Sequence, residues 1–295
     1  MTGFHMPQSD LMHSGHVGCP GCGATIAMKF ALQALGKETI MVIPACCWAI
    51  IAGPHPQSSL GVPILHTAFE TAGAASSGLR AALDMQGDTK TTIVAWAGDG
   101  GTFDIGFQAL SGAAERNEDF IYVCYDNEAY MNTGVQRSSS TPRGTRTTTT
   151  PGQGWKQTRK KNIVEALAAH RIPYAATANI AFPEDMIGKF KKAKDMKGGT
   201  RFIHVYAACP TGWRIPSEMG IKVSRLAVQS NFFPLYEVED GVKYTLNHRG
   251  DKSVKDYMSI QGRFKHLTDK DYADIQEMVD KDWDLLNRRV EMFKG

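Results

Sequence analysis

The sequence predicts an α/β fold, a parallel sheet with helices on both faces, and three observations carry that expectation. Short apolar runs rich in β-formers alternate with segments of helical periodicity from about residue 24 to residue 206. Polar and glycine-rich clusters fall just after several of the runs, where strand ends would lie. Glycine supplies 29 of 295 residues, about 10% against an average of about 7%, and the excess sits in those turns.

Taken in order, residues 24–35 read as the first helix and 39–43, Thr-Ile-Met-Val-Ile, as the first strand. A helix is expected over 67–83, where Gly73, Gly78 and intervening alanines suit close helix packing, and a strand over 91–97. Residues 105–116 read as a helix that stops at the Asn117-Glu118-Asp119 turn before a strand over 120–125. Then come a helix over 163–170, a strand over 174–177, a helix over 184–194 and a strand over 202–206. Glu184 and Asp185 after Pro183 suit a helix start, and Gly198-Gly199 ends that unit. Residues 226–246 read as irregular or strand-like and 269–292 as a charged amphipathic helix. Residues 1–210 thus form the α/β domain and 211–295 a C-terminal extension suited to embracing other subunits. No internal repeat is present.

Two strand ends carry chemistry. Gly98-Asp99-Gly100-Gly101 follows the strand over 91–97, and Asp126-Asn127-Glu128-Ala129 follows the strand over 120–125. In a parallel sheet both ends open onto the crevice where ligands bind. Asp99 can give Mg²⁺ an anionic oxygen, Asn127 a neutral one and the Ala129 carbonyl a third, with diphosphate oxygens completing the octahedron. Gly98, Gly100 and Gly101 let the backbone approach phosphates closely. Gly-Asp-Gly alone is a common βα turn; the second element on the next strand end makes it a cofactor site.

The cysteines form a second motif. Cys19-Pro20-Gly21-Cys22 is a C-x-x-C turn open to zinc, redox or iron–sulfur readings. No second closely spaced Cys/His pair supports zinc, and no strand precedes the turn as in a thioredoxin motif. Cys46-Cys47 and Cys209 each follow an apolar run and can reach the same sheet edge, so four thiolates from three segments suit a [4Fe–4S] cluster. Either Cys46 or Cys47 can serve. Cys124, inside Ile121-Tyr122-Val123-Cys124-Tyr125, reads as a buried small hydrophobe.

Residues 132–161 hold seven basic and no acidic residues. So long a loop, starting where the diphosphate motif ends, is read as packed on the cofactor or a partner, with Arg137 or Arg143 toward an anionic substrate. His66 and Glu70, four apart, read as a structural contact rather than an acid/base pair. Trp213 and Arg214 either shield the cluster or simply pack.

A net charge of +3 is too slight to argue for nucleic acid, and no nucleic-acid partner is expected. Residues 1–10 lack a basic and apolar leader, and the apolar stretch 40–53, broken by Pro44, is too short for a membrane span, so neither signal peptide nor membrane is expected. Six cysteines without a disulfide pattern suit a cytoplasmic protein.

Together, Trp96 to Thr102, Asp104-Ile105-Gly106 and Tyr125 to Gly134 resemble the beta subunit of pyruvate:ferredoxin oxidoreductase, a 2-oxoacid:ferredoxin oxidoreductase. The likeness runs from Gly18 to about Leu267. It implies thiamine diphosphate (ThDP) bound by Gly98, Asp99, Gly100, Gly101, Asn127 and Ala129, with Mg²⁺ on Asp99, Asn127 and Ala129. It implies a [4Fe–4S] cluster on Cys19, Cys22, Cys47 and Cys209, with Cys46 behind, and Asn132 in polar contact with the reacting centre. The implied reaction converts pyruvate and coenzyme A to acetyl-CoA and CO₂, with electrons leaving singly through the cluster to ferredoxin. Implied partners are alpha, gamma and delta type subunits, one of which supplies the glutamate beside the ThDP aminopyrimidine. Branched-chain 2-oxoacids, 2-oxoglutarate or oxalate are alternative substrates. A non-redox ThDP decarboxylase would have no use for the thiols, and a zinc-binding interaction module none for the diphosphate motif.

Overall fold

The computed structural model describes residues 10–150 and 154–292; residues 1–9, where no leader is expected from the sequence, lie outside them. The strands are β1 (Thr39–Pro44), β2 (Ile64–Thr67), β3 (Thr92–Gly98), β4 (Ile121–Asp126), β5 (Tyr174–Asn179), β6 (Arg201–Tyr206), β7 (Tyr236–Glu239) and β8 (Lys243–Leu246). They form one sheet in the order β2-β1-β3-β4-β6-β5-β7-β8. The first six strands of that order run parallel, whereas β7 and β8 add an antiparallel hairpin at one edge. The expected all-parallel sheet therefore gains its last two strands from the segment after residue 210.

The helices are α1 (Gly23–Leu35), α2 (Cys47–Ile51), α3 (Ala72–Met85), α4 (Phe107–Glu115), α5 (Ile163–Ala168), α6 (Pro183–Asp195), α7 (Pro210–Trp213), α8 (Gly220–Gln229), α9 (Val254–Met258) and α10 (Asp269–Met292). Alternation along β3 sends Val94 and Trp96 to one face, with Met28, Leu32, Phe190 and Val223 of α1, α6 and α8. It sends Ile93, Ala95 and Ala97 to the other, with Leu110, Leu167 and Leu286 of α4, α5 and α10. Burial on both faces explains why the central strands read as unbroken apolar runs.

Three local differences from the sequence reading have physical causes. The expected helix over 67–83 starts only at Ala72, because Ile64–Thr67 pairs with β1 as an edge strand. Its half-exposed pattern carries little periodic signal. Gly73 does mark close packing, since a Cβ there would stand 3.0 Å from the Ala109 backbone, but Gly78 faces open space. Residues 220–229 form α8, whose apolar stripe of Val223, Ala227 and Val228 is interrupted by charged residues.

Candidate functional site

Asp99 follows β3 and Asn127 follows β4, and the parallel register sets Gly98 beside Tyr125, so both polar residues leave the sheet at one level. Both are buried, Asp99 at 1% exposure and Asn127 at 6%. The carboxamide atom of Asn127 that meets Asp99 stands 3.0 Å from Asp99 Oδ1 and 3.0 Å from the Ala129 carbonyl oxygen. As nitrogen it donates to both. As oxygen it makes three converging acceptors, an arrangement that a cation resolves. Adjacent ligands of an octahedron with arms of 2.0–2.1 Å lie about 3 Å apart. The donor chemistry and spacing of Asp99, Asn127 and Ala129 thus fit Mg²⁺.

The surroundings hold this set in place. The Ser138 hydroxyl donates to Asp99 Oδ2, and Thr102 donates to the Gly98 carbonyl at 2.8 Å. Burial, and then the neighbouring Asp126 carboxylate, push the Asp99 carboxyl well above the usual range. Asp126 differs: against the effect of burial, Lys160 and the His204 hydrogen bond hold it below its ordinary value. Beyond Asp99 the chain makes a π-helical turn, Gly100–Ile105, closed by Gly106 N–H donating to the Gly101 carbonyl at 2.9 Å. A Cβ on Gly100 would lie 2.4 Å from the Tyr130 ring, and one on Gly101 3.3 Å from Phe69. These glycines make room for aromatic walls, a role the sequence reading did not foresee.

The cysteine segments are drawn together by backbone contacts. Cys22 caps α1, Cys46-Cys47 opens α2 after β1, and Cys209 caps α7 beyond β6. Gly23 N–H donates to the Ala208 carbonyl at 2.9 Å, and a Cβ at Gly23 would stand 2.6 Å from Ala208 N. The Trp48 indole donates to the Ala24 carbonyl at 3.2 Å. All six cysteines are free thiols. Burial, then Cys46, Cys209 and Cys22, push the Cys47 thiol up to about 12. Burial, opposed by the Gly212 N–H and reinforced by Cys22 and Cys19, pushes Cys209 up to about 11. Burial also raises Cys22, with Cys19 adding to it. Cys46 instead bonds the Tyr125 side chain and lies against Gly98, and Cys124 is fully buried in β4. Among the described residues no three His, Cys, Asp or Glu side chains converge closely enough to share one ion.

Asp99 and Asn127 share one pocket of about 230 Å³ with Cys46 and Cys47 of the cysteine segments, walled by Phe69 and Tyr130 among others, whereas Cys19, Cys22 and Cys209 lie outside its lining. Gly98, Gly100, Gly101, Ala129 and Asn132 line it too, with Asn132 exposed at the rim. Much of the basic segment is buried against the site: Ser138, Ser140, Thr141 and Lys156 are each 3% exposed or less. Arg143 lines a second cavity and Arg137 is exposed. His66 lies in β2 and Glu70 in the turn before α3, so the two share no helix face. Trp213 is buried and donates its indole N–H to the Asn127 carbonyl. Sequence reasoning missed Lys160 and Arg263, whose partners lie far away in the chain.

No helix among the described residues is long and apolar enough to cross a membrane. Residues 46–205 match the family described as thiamine pyrophosphate enzyme, C-terminal TPP binding domain. The chain is 49% identical over 300 residues to the ketoisovalerate oxidoreductase subunit VorB of Pyrococcus furiosus, covering 98% of this chain and 96% of that protein. It is 46% identical over 279 residues to the pyruvate synthase subunit PorB of Methanothermobacter marburgensis, covering 93% and 96%. A solved 2-oxoglutarate:ferredoxin oxidoreductase from Magnetococcus marinus shares the fold, with TM-score 0.59 and 22% identity over 75% of this chain and 81% of that one. With a thiamine pyrophosphate enzyme C-terminal domain on a mostly parallel sheet, Asp99 and Asn127 at two of its strand ends, and these relatives spanning nearly its whole length, the chain belongs to the 2-oxoacid:ferredoxin oxidoreductase family, alongside the PorB and VorB subunits.

Proposed function

We propose that this chain is the catalytic beta-type subunit of a cytoplasmic 2-oxoacid:ferredoxin oxidoreductase, with ThDP-Mg²⁺ at Asp99, Asn127 and Ala129 and a [4Fe–4S] cluster on Cys19, Cys22, Cys47 and Cys209. The observation that carries this reading is that the three converging oxygen donors share one pocket wall with Cys47. Bound there, ThDP supplies the carbon nucleophile for decarboxylation and the cluster a one-electron acceptor. Asp99 and Asn127 anchor the diphosphate through the metal, and Gly98, Gly100 and Gly101 shape the wall beside it. Phe69, Tyr130 and Met131 would give the bound group apolar walls. Asn132, at the rim, offers a polar contact to the substrate. Cys47 feels the Cys22 and Cys209 thiols, whereas Cys46 turns to Tyr125, which favours Cys47 as the ligand.

The substrate is read as a monocarboxylic 2-oxoacid. Among the described residues the pocket wall contains no Lys, Arg or His, so this chain's share of the site offers no counter-charge to a second carboxylate such as that of 2-oxoglutarate. Pyruvate, giving acetyl-CoA and CO₂, is the first reading, in line with the PorB relatives. A branched-chain 2-oxoacid is the second, favoured by the higher identity to VorB. Ferredoxin and coenzyme A complete the reaction, and alpha, gamma and delta type subunits the assembly. An anaerobic assay of the assembled enzyme against pyruvate, 2-oxoisovalerate, 2-oxoglutarate and oxalate, with and without coenzyme A, tests the reading. Coenzyme A-dependent ferredoxin reduction with pyruvate above the others supports it; turnover without any electron acceptor refutes it.

A further inference from the structure

Asp126, Asn127 and Glu128 leave β4 in succession, and the middle residue meets Asp99. The outer two carboxylates are fully buried and turn into groups drawn from distant segments. Asp126 Oδ2 accepts from Lys160 Nζ at 2.5 Å, His204 Nε2 at 2.7 Å and Ser140 Oγ at 2.6 Å. Glu128 accepts from the same ammonium at 3.1 Å and from the Arg263 guanidinium at 2.6 Å. Lys160 is therefore the bridge between the two carboxylates flanking Asn127.

The backbone between them is held in a costly shape. Glu128 has φ 66°, a left-handed conformation that a residue with a side chain adopts only when its surroundings hold it there. That turn sets the Ala129 carbonyl 3.0 Å from the Asn127 carboxamide. Glu128 N–H donates to Asp126 Oδ1 at 2.8 Å and its carbonyl accepts from Thr141 Oγ1 at 2.7 Å. Without the ammonium, two buried carboxylates two residues apart would repel across this turn and splay it.

We propose that Lys160 is a positioning residue of the diphosphate-metal site: by bridging Asp126 and Glu128 it fixes the left-handed turn that brings the Asn127 carboxamide and the Ala129 carbonyl onto Asp99. Resting on the reading of that site as ThDP-Mg²⁺, this assigns the basic segment a role on the far side of the motif from the cofactor.

The test uses the assembled enzyme stripped of ThDP, with ThDP-Mg²⁺ affinity read by calorimetry and iron content read alongside. Lys160→Met is expected to weaken binding by about tenfold or more, to lower kcat at saturating cofactor far less, and to leave iron unchanged. Lys160→Arg should recover most of the affinity. Lys160 lines an open cavity of about 340 Å³, so Lys160→Ala should be rescued by methylammonium and not by sodium. Unchanged affinity in Lys160→Met, or equal rescue by sodium, overturns the assignment. If Lys160→Met does not assemble, Lys160→Gln keeps a hydrogen-bond donor and removes the charge between the two carboxylates; unchanged affinity there overturns it as well. Asp99→Asn separates the two readings: if the unsubstituted enzyme binds ThDP no better than Asp99→Asn, the site reading fails, not the role of Lys160.

Discussion

Trp213 donates its indole N–H to the main-chain oxygen of Asn127 at 2.8 Å, while its own amide N–H donates to the carbonyl of Cys209 at 2.9 Å. One buried side chain thus joins a cysteine of the proposed cluster to a residue of the proposed metal site. The Arg263 guanidinium lies 4.0 Å over the Trp213 ring and pairs with Glu128, so the C-terminal extension braces the same turn from behind.

Trp213→Phe keeps an aromatic ring and leaves the buried Asn127 carbonyl without its indole donor. An orphaned buried acceptor costs about 1–3 kcal/mol, and part of that cost should appear as weaker ThDP-Mg²⁺ binding, by about fivefold. Calorimetric titration of the assembled enzyme measures it. Affinity equal to that of the unsubstituted enzyme would show that the carbonyl of Asn127 tolerates the loss.

Among the described residues Asp99 is the only carboxylate lining the pocket. Asp99→Ala is therefore expected to abolish ThDP retention through gel filtration while leaving iron content and circular dichroism unchanged, because the cysteine segments hang on Gly23, Ala208 and Trp48 instead. Normal ThDP retention in this variant would remove Asp99 from the metal site.

The thiols sort by their surroundings. Cys22→Ala, Cys47→Ala and Cys209→Ala should each lose most of the iron and acid-labile sulfide of anaerobically prepared enzyme. Cys124→Ala and Cys46→Ala should keep theirs, since Cys124 is enclosed in β4 and Cys46 bonds Tyr125. Stoichiometric zinc without sulfide in the unsubstituted protein would sink the cluster reading altogether.

The site residues legible in the sequence are those at strand ends. Asp99 and Asn127 stand out because apolar runs end beside them and glycines or polar residues follow, a local signal. Lys160, Arg263 and Trp213 give no such signal. Lys160 meets Glu128 across 32 positions, Arg263 meets it across 135, and Trp213 meets Asn127 across 86. In a row of basic residues nothing local separates Lys160, which is drawn into the interior, from the partly exposed Arg159 beside it. The same holds for β2, an edge strand whose identity comes from pairing with β1 rather than from its own pattern.

Lys156 makes the basic segment sensitive to pH. Burial, then Arg137 and Lys160, lower its ammonium from 10.5 to about 8. Between those values the unfolded chain binds a proton that the native chain does not, so stability rises with pH across the window and is lost as pH falls through about 8. Lys156→Met removes this dependence. Comparing denaturation midpoints at about pH 7.5 and 9.5, the unsubstituted protein should gain on the variant at the higher value; parallel midpoints would contradict the shift.

Forming the reactive carbanion of ThDP requires a carboxylate beside its aminopyrimidine ring, and among the described residues no carboxylate other than Asp99 lines the pocket. Asp99 is already engaged by Ser138 and Asn127, and Glu70 is exposed in the turn before α3, outside the lining of the pocket. The pocket, at about 230 Å³, is also below the 300–1,000 Å³ typical of a complete small-molecule site. Both facts point to a site closed by another subunit that brings the missing glutamate. The chain purified alone should therefore bind ThDP weakly and show no 2-oxoacid turnover, and both should return on reconstitution with its partners. Pyruvate oxidation with reduction of a low-potential acceptor by the homogeneous single chain would refute the shared site, and loss of that activity in Glu70→Gln would then identify Glu70 as the carboxylate.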